Sequence, residues 1–259
     1  MTFREEYNKP DLVWLYDVVY SNDDDAKFYT QCAKAFGQPI LELGSGTGRI
    51  AIPLAEEGFE VVGIDNSDAM IDGCMRKIEA LKNDSLKIKI VNSDMAHFEL
   101  ERKFPLILIS VNNFLLLDRD AQRSCLDCCK RHLEKSGVLI IDAYSPFAPS
   151  RAKFMKNQND EKENLISMMR NPETGLQIRR YISCKRDVIE QVDYITNFFE
   201  IDTKSGIEER RYTEKLRYVY PAEMQLMLDY AGFKSVKIFG QYDGSKFDDK
   251  SELSIFMAQ

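Results

Sequence analysis

Leu41-Glu42-Leu43-Gly44-Ser45-Gly46-Thr47-Gly48-Arg49 is the stretch on which the fold turns. It starts in a short apolar run, Pro39–Leu43, and leads into Arg49–Glu57, whose apolar spacing predicts a helix. Glycines between a strand and a helix permit a tight turn and let a ligand approach the helix N-terminus. Asp65 comes 21 residues after Gly44, at the end of the next apolar run, Glu60–Ile64. At that spacing an acidic side chain accepts hydrogen bonds from ribose hydroxyls. The loop is not a dinucleotide fingerprint, because Arg49 and Ala51 stand where its third glycine would fall. It is not a Walker A loop either, since no Gly-Lys-Ser/Thr follows.

Working outward, residues 11–36 read as helix, broken near Ser21-Asn22-Asp23-Asp24, where Ser and Asn end one helix and cap the next. Beyond the loop the chain alternates. Asp68–Leu81 reads as helix, Leu86–Val91 as strand and Pro105–Val111 as a strand buried on both faces. Asp118–Leu133 follows as helix and Gly137–Ala143 as strand. Such alternation implies a parallel sheet with helices on both sides. After Tyr144 the pattern changes. Residues 145–174, with Pro146, Pro149 and Pro172, read as a loop with one short helix. Three long strands are expected next, Leu176–Lys185, Val188–Glu200 and Glu208–Tyr218, with turns at Arg186-Asp187 and Thr203–Gly206. Connections this short imply antiparallel pairing. Helix Pro221–Tyr230 and an antiparallel pair, Ser235–Phe239 with Glu252–Met257, close the chain. The expected fold is α/β, a doubly wound and mostly parallel seven-stranded sheet with an antiparallel last strand, plus an inserted antiparallel β-sheet. Residues 1–144 would form the N-terminal helices and core, 145–219 the insert, and 220–259 the completion of the core sheet.

Composition narrows the function. The 259 residues carry 35 Lys and Arg against 42 Asp and Glu, a net charge of −7. That balance makes nucleic acid an unfavourable partner. No apolar run approaches the roughly 20 residues of a membrane span, and the first residues show no basic segment followed by an apolar one. Six cysteines are too few for a disulfide scaffold. Cys125, Cys128 and Cys129 cluster within a predicted helix, with no second ligand pair for zinc. The expectation is a cytoplasmic protein without a metal.

The glycine loop, the acid and one further segment resemble a known family. Glu42-Leu43-Gly44-Ser45-Gly46-Thr47-Gly48 resembles the first motif of the class I, Rossmann-like S-adenosylmethionine-dependent methyltransferases of small-molecule type. Gly63-Ile64-Asp65 is similar to their second motif, and Val91-Asn92-Ser93-Asp94-Met95 to their adenine-contacting loop. The resemblance covers residues 38–143 motif by motif. It implies S-adenosylmethionine as cofactor and S-adenosylhomocysteine as product. It also implies that the backbone at Gly44, Gly46 and Gly48 passes beneath the methionine and ribose, and that Glu42 and Ser45 of the same stretch are cofactor-binding. By the same resemblance Asp65 holds both ribose hydroxyls, Asn66 is a further cofactor-binding residue, and Met70 packs on the adenine. Asp94 would accept from the adenine amino group, Met95 would offer its backbone, and Ser110 would lie beneath the sulfonium.

The acceptor is less legible. After the fourth strand the chain reads Ser110-Val111-Asn112-Asn113-Phe114, without the Asn/Asp-Pro-Pro-aromatic motif of base and glutamine methyltransferases. It has no Pro-Cys pair for cytosine C5 chemistry and no clear acidic cluster for metal-assisted catechol methylation. Only His97 and His132 could serve as a histidine base, and the histidine that related enzymes carry after Asn-Ser is missing. This favours catalysis by proximity, or by an acid or a tyrosine. Trp14–Tyr20 resembles the Tyr-Asp segment that covers the cofactor in amine and sugar N-methyltransferases. Tyr16, Tyr20 and Asn112 are the catalytic candidates, with Tyr7 as a further tyrosine near the sulfonium. The antiparallel insert would wall the acceptor pocket. One face would present Arg179 with Tyr181, and another Tyr194, Thr196 and Phe198, to an anionic or aromatic small molecule or to a second copy in a homodimer. The expected reaction is methyl transfer to N or O of a small molecule, with N favoured. An RNA or protein methyltransferase, or a binding protein without turnover, stays open.

Overall fold

The computed structural model describes residues 10–21, 24–150 and 164–259. Two helices, α1 (Pro10–Val19) and α2 (Asp24–Phe36), lead into the alternation. It runs β1 (Ile40–Leu43), α3 (Ala51–Glu56), β2 (Val61–Asp65), α4 (Asp68–Leu81), β3 (Ile88–Asn92), β4 (Phe104–Ile109), a short 3-10 turn at Asn113–Leu116, α5 (Arg119–His132) and β5 (Leu133–Tyr144). The insert contributes β6 (Asn164–Arg170), β7 (Gln177–Asp187), β8 (Val192–Thr203) and β9 (Gly206–Arg217). Helix α6 (Pro221–Tyr230), β10 (Val236–Phe239) and β11 (Leu253–Ala258) complete the chain.

The main sheet has seven strands in the order β10-β11-β5-β4-β1-β2-β3, and β11 alone runs against its neighbours. Its central strands are mostly apolar because both faces are covered: all four residues of β1 are buried, Glu42 among them. One face packs through Leu41, Leu43, Ile107 and Ile109 against α5 and α6, the other through Ile40, Leu106 and Leu108 against α2 and α3. Pro105 has no N–H to donate, and the β4–β5 register shifts there, between Phe104 and Leu106. Local chemistry sets the helix ends. Ser67 caps α4 by accepting from Met70 N at 3.2 Å, and Asp118 caps α5 by accepting from Ala121 N at 2.9 Å.

The insert has four strands, β6-β7-β8-β9, all antiparallel. Here two sequence expectations are corrected. Residues 164–170 form a strand, not loop. This edge strand exposes Leu165, Ile166 and Met168, and its pairing with β7 is interrupted between Leu165 and Ser167, so no clean alternation marks it. The β7–β8 turn lies at 188–191, not at Arg186-Asp187, which pair with Asp193 and Val192. Val188 and Ile189 read as strand residues yet stand exposed in that turn, which the Asp187 carboxylate closes by accepting from Ile189 N and Glu190 N, both at 3.0 Å.

A buried carboxylate joins the two sheets. Asp193 of β8 accepts from Tyr144 Oη at the end of β5 at 2.6 Å, and from Arg186 Nε and Nη2 at 2.7 and 2.8 Å. The Arg186 guanidinium also lies 4.1 Å from the Tyr218 ring centroid. Further along, Arg217 Nη1 donates to Gln122 Oε1 of α5 at 2.6 Å, and Arg217 also bonds Glu223 of α6. Removing a buried acid strands its cation. Asp193→Ala is therefore expected to lower stability by about 3 kcal/mol, measured by urea unfolding. A loss below a few tenths would show that the joint carries no weight.

Candidate active site

The parallel strands end at one edge of the main sheet, and the glycine loop lies there. Gly44 has φ +74° and donates from its N to Ile64 O at 2.7 Å, turning the chain away from β1. A Cβ at Gly44 would lie 2.6 Å from the Asn113 side chain, whose Nδ2 donates to Gly44 O at 2.8 Å, so only glycine fits. Gly46, at φ +53°, donates from its N to Asp65 Oδ2 at 2.8 Å. A Cβ there would meet nothing within 4 Å, so the backbone faces open space. Asp65 Oδ1 accepts from Ser67 N at 2.9 Å. Burial pushes the Asp65 carboxyl above its usual range, opposed by these backbone donors.

A cavity of about 520 Å³ stands over this loop. Gly44, Gly46, Asp65, Asn66 and Met70 line one end, with Asp94 and Met95 beside them. Asp94 Oδ1 accepts from Ala96 N at 2.9 Å, which fixes the turn after β3. Tyr16 of α1 and Tyr20 just past its end roof the cavity, their ring centroids 4.8 Å apart. Burial pushes the Tyr16 hydroxyl well above its usual value, although Arg49 opposes the shift. Asp17 locks α1 in place: its Oδ1 accepts from Thr47 Oγ1 of the glycine loop at 2.5 Å and from Lys77 Nζ of α4 at 2.6 Å.

At the end of β4, Val111 and Asn112 have φ of +54° and +64°. Two successive left-handed residues, one of them β-branched, are strained and must be held from outside. Asn112 Oδ1 accepts from Tyr144 N at 2.6 Å, and Asn112 N donates to Asp142 Oδ1 at 3.4 Å. Asp142 in turn accepts from Tyr29 Oη and, at 2.8 Å, from Tyr242 Oη. The kink turns Asn113 under Gly44 and brings Asn112 and Asn113 to the cavity wall. Asn113 is a site residue that sequence reasoning missed. Its signal was the asparagine pair itself, but its partner follows only from the kink.

Glu42, Ser45, Gly48 and Ser110 do not line the cavity. Glu42, Ser45 and Ser110 are buried beneath it, and a Cβ at Gly48 would lie 2.6 Å from Cys74 Sγ. Ser110 Oγ donates to Glu42 Oε1 at 2.9 Å, and burial raises the Glu42 carboxyl to about 8. His97 is exposed and forms no part of the lining. His132 is buried, accepting from Leu100 N through Nε2 at 2.9 Å, so it is a structural histidine. Cys125, Cys128 and Cys129 are buried along α5. Among the described residues no group of three or more His, Cys, Asp or Glu could hold a metal ion. Tyr7 lies outside the described residues.

The insert forms the opposite wall, as a lid. Its lining residues are Arg180, Ile182 and Cys184 of β7, Ile195 of β8, and Glu214 and Leu216 of β9. Side chains alternate across a strand, so the expected parity is corrected. Arg179, Tyr181, Tyr194, Thr196 and Phe198 belong to the outer face, where Arg179 bonds Glu200 at 2.7 Å and the Tyr181 and Phe198 rings lie 5.7 Å apart. Helix α1 is gripped between lid and floor: Leu12, Leu15 and Val18 pack on Ile178, Phe199 and Tyr212, while Val13 and Tyr16 pack on Met70.

The comparisons agree with this geometry. Residues 40–137 match the family model of a methyltransferase domain. The chain is 24% identical over 216 residues to the cypemycin N-terminal methyltransferase of a Streptomyces species, covering 83% of this chain and 80% of that protein. It is 26% identical to the CcbJ methyltransferase of Streptomyces caelestis, whose structure superposes with a TM-score of 0.72 over 92% of this chain and 89% of that one. CalS10 of Micromonospora echinaspora, an amino pentose methyltransferase solved with S-adenosylmethionine bound, is 18% identical and shares the fold, with a TM-score of 0.70 over 94% and 95% of the two chains. The chain has the fold of the class I S-adenosylmethionine-dependent methyltransferases, with the methyltransferase domain at residues 40–137, and S-adenosylmethionine is its cofactor. The open backbone at Gly46, beside a carboxylate and on the floor of a cavity, fits that cofactor. Among the described residues no helix is long and apolar enough to cross a membrane.

Glu42 offers a test of the buried layer. Its carboxyl has an ordinary value of 4.5 and is raised to about 8 in the fold, so the folded chain holds the proton more tightly. The stability this contributes is complete below pH 4.5 and is lost as pH rises through 8. Glu42→Gln has no proton to lose. It is expected to match the parent near pH 5 and to be the more stable of the two, by a few kcal/mol, above about pH 8. Parallel urea-unfolding profiles across that range check it, and parallel slopes would refute the burial argument.

Proposed function

We propose that this chain methylates a nitrogen of a small molecule. The observation that carries the reading is that one cavity runs from the glycine loop to the lid, closed above by α1. Nitrogen is supported by the relative named for an N-terminal methyl transfer and by the neighbour named for an amino pentose.

In this reading Gly44 and Gly46 supply a backbone floor that no side chain obstructs. Asp65 accepts from ribose hydroxyls, with Asn66 beside it. Met70 lies on the adenine face, and Asp94 and Met95 meet its edge. Glu42, Ser45, Gly48 and Ser110 shape the loop from below. When bound, the cofactor supplies a methyl group on a positively charged sulfur. Tyr16, Tyr20 and Asn112 border the space between loop and lid, and their work is to align the acceptor and exclude water. No histidine stands in the lining to act as a base, so the acceptor amine must arrive or become neutral by other means.

Calorimetric titration tests the cofactor half. S-adenosylmethionine and S-adenosylhomocysteine are expected to bind and NAD is not. Asp65→Ala should weaken both by about 2–3 kcal/mol, because a charged acceptor is lost. Gly46→Val should abolish binding while leaving a cooperative unfolding transition. Release of S-adenosylhomocysteine across matched panels of small amines and alcohols tests the acceptor half. Turnover confined to alcohols would overturn the nitrogen assignment.

A further inference from the structure

Arg180 stands on the cavity side of β7, and among the described residues no carboxylate pairs with it. Its Nε and Nη2 both donate to Asn197 Oδ1, at 3.0 and 2.7 Å. Among the described residues it makes no ion pair. The adjacent Arg179, on the outer face, bonds two acids, Glu200 and Asp202. An amide oxygen orients a guanidinium but does not neutralise it, and a partly buried charge in an apolar wall calls for a counter-charge.

Asn197 is fully buried, and its other end faces an acid: Nδ2 donates to Glu214 Oε2 at 3.4 Å. The two charged neighbours decide which way the amide lies, oxygen to Arg180 and nitrogen to Glu214. Glu214, itself buried, lines the cavity as Arg180 does. The wall therefore has a cationic end and an anionic end, held apart by one amide side chain. Ile182, Ile195 and Leu216 fill the space around them.

We propose that the methyl acceptor is zwitterionic, an amino acid whose carboxylate pairs with Arg180 and whose ammonium faces Glu214, the carboxylate that takes one ammonium proton so that the neutral amine can receive the methyl group. This rests on the reading of the chain as a small-molecule N-methyltransferase. Arg180 and Glu214 are then specificity residues, and Asn197 is a positioning residue that keeps Arg180 aimed. The polarity of the wall also fixes the direction in which the acceptor lies, because reversing it would set like charges together.

Saturation-transfer NMR on the full chain loaded with S-adenosylhomocysteine tests this. The probes are the common amino acids and their longer-chain analogues, each beside its amide, which keeps the amine alone, and its deaminated acid, which keeps the carboxylate alone. At least one zwitterion is expected to bind five-fold or more tighter than both of its counterparts. Arg180→Gln should remove that preference, Arg180→Lys should restore part of it, and Glu214→Gln should weaken the zwitterion and amide but not the deaminated acid. Equal binding of amide and zwitterion, an unchanged preference in Arg180→Gln, or no zwitterion binding would overturn the inference. Calorimetry with S-adenosylhomocysteine on the same samples separates the two levels. If the product binds and amines are methylated without preference for a carboxylate, only the zwitterion inference falls. If the product does not bind, the methyltransferase reading falls with it.

Discussion

The Gly46 N–H to Asp65 carboxylate bond is the constraint on which the site depends. It ties the loop after β1 to the end of β2, while the other Asp65 oxygen holds the start of α4 through Ser67 N. One side chain thus sets the relative position of three segments that bound the cavity. The burial that raises the Asp65 carboxyl is opposed, without being cancelled, by the donors it organises. Everything above depends on that floor. Asp17 fastens α1 to Thr47 in the same loop and to Lys77 in the helix that Asp65 starts.

The floor and the lid solve different physical problems. The floor must bring backbone close to a ligand, so it uses left-handed glycines and a strained Val111-Asn112 kink held by Tyr144 N and Asp142. The lid must stand away from the sheet yet stay registered to it. It does so through buried polar joints, Asp193, braced by Arg186, with Tyr144 of β5, and Arg217 with Gln122 of α5 and Glu223 of α6, placed where β8 and β9 meet the core. Between these joints the cavity-lining face of the lid is mostly apolar, Ile182, Cys184, Ile195 and Leu216 flanking Arg180 and Glu214.

Much of the floor was legible in the sequence because its determinants are local. Parallel strands all end at one edge, so the glycine loop, Asp65, Met70 and Asp94 fall together once the alternation is recognised. Glu42 and Ser110 were placed in the right loop and strand end, but whether they face the cavity depends on strand parity, and both turn inward beneath it. What was hidden depends on long-range pairing. The edge strand β6 is defined by its neighbour rather than by its own pattern. Asn113 reaches Gly44 only through the kink at Val111. On the lid, attention to the aromatic positions Tyr181 and Phe198 favoured the wrong face. Ile178, Ile182 and Cys184 mark the buried parity, and Arg180 belongs with them.

That parity has a wider consequence. A slip of one residue in β7 would exchange Arg180, Ile182 and Cys184 for Arg179, Tyr181 and Ser183, replacing the chemistry of the whole wall at a stroke. The glycine floor, built on other strands, would be untouched. A single-residue insertion or deletion near a lid turn is thus a short evolutionary path to a new acceptor. Divergence within such a lineage should accumulate as frame changes in the lid and not as substitutions in the glycine loop.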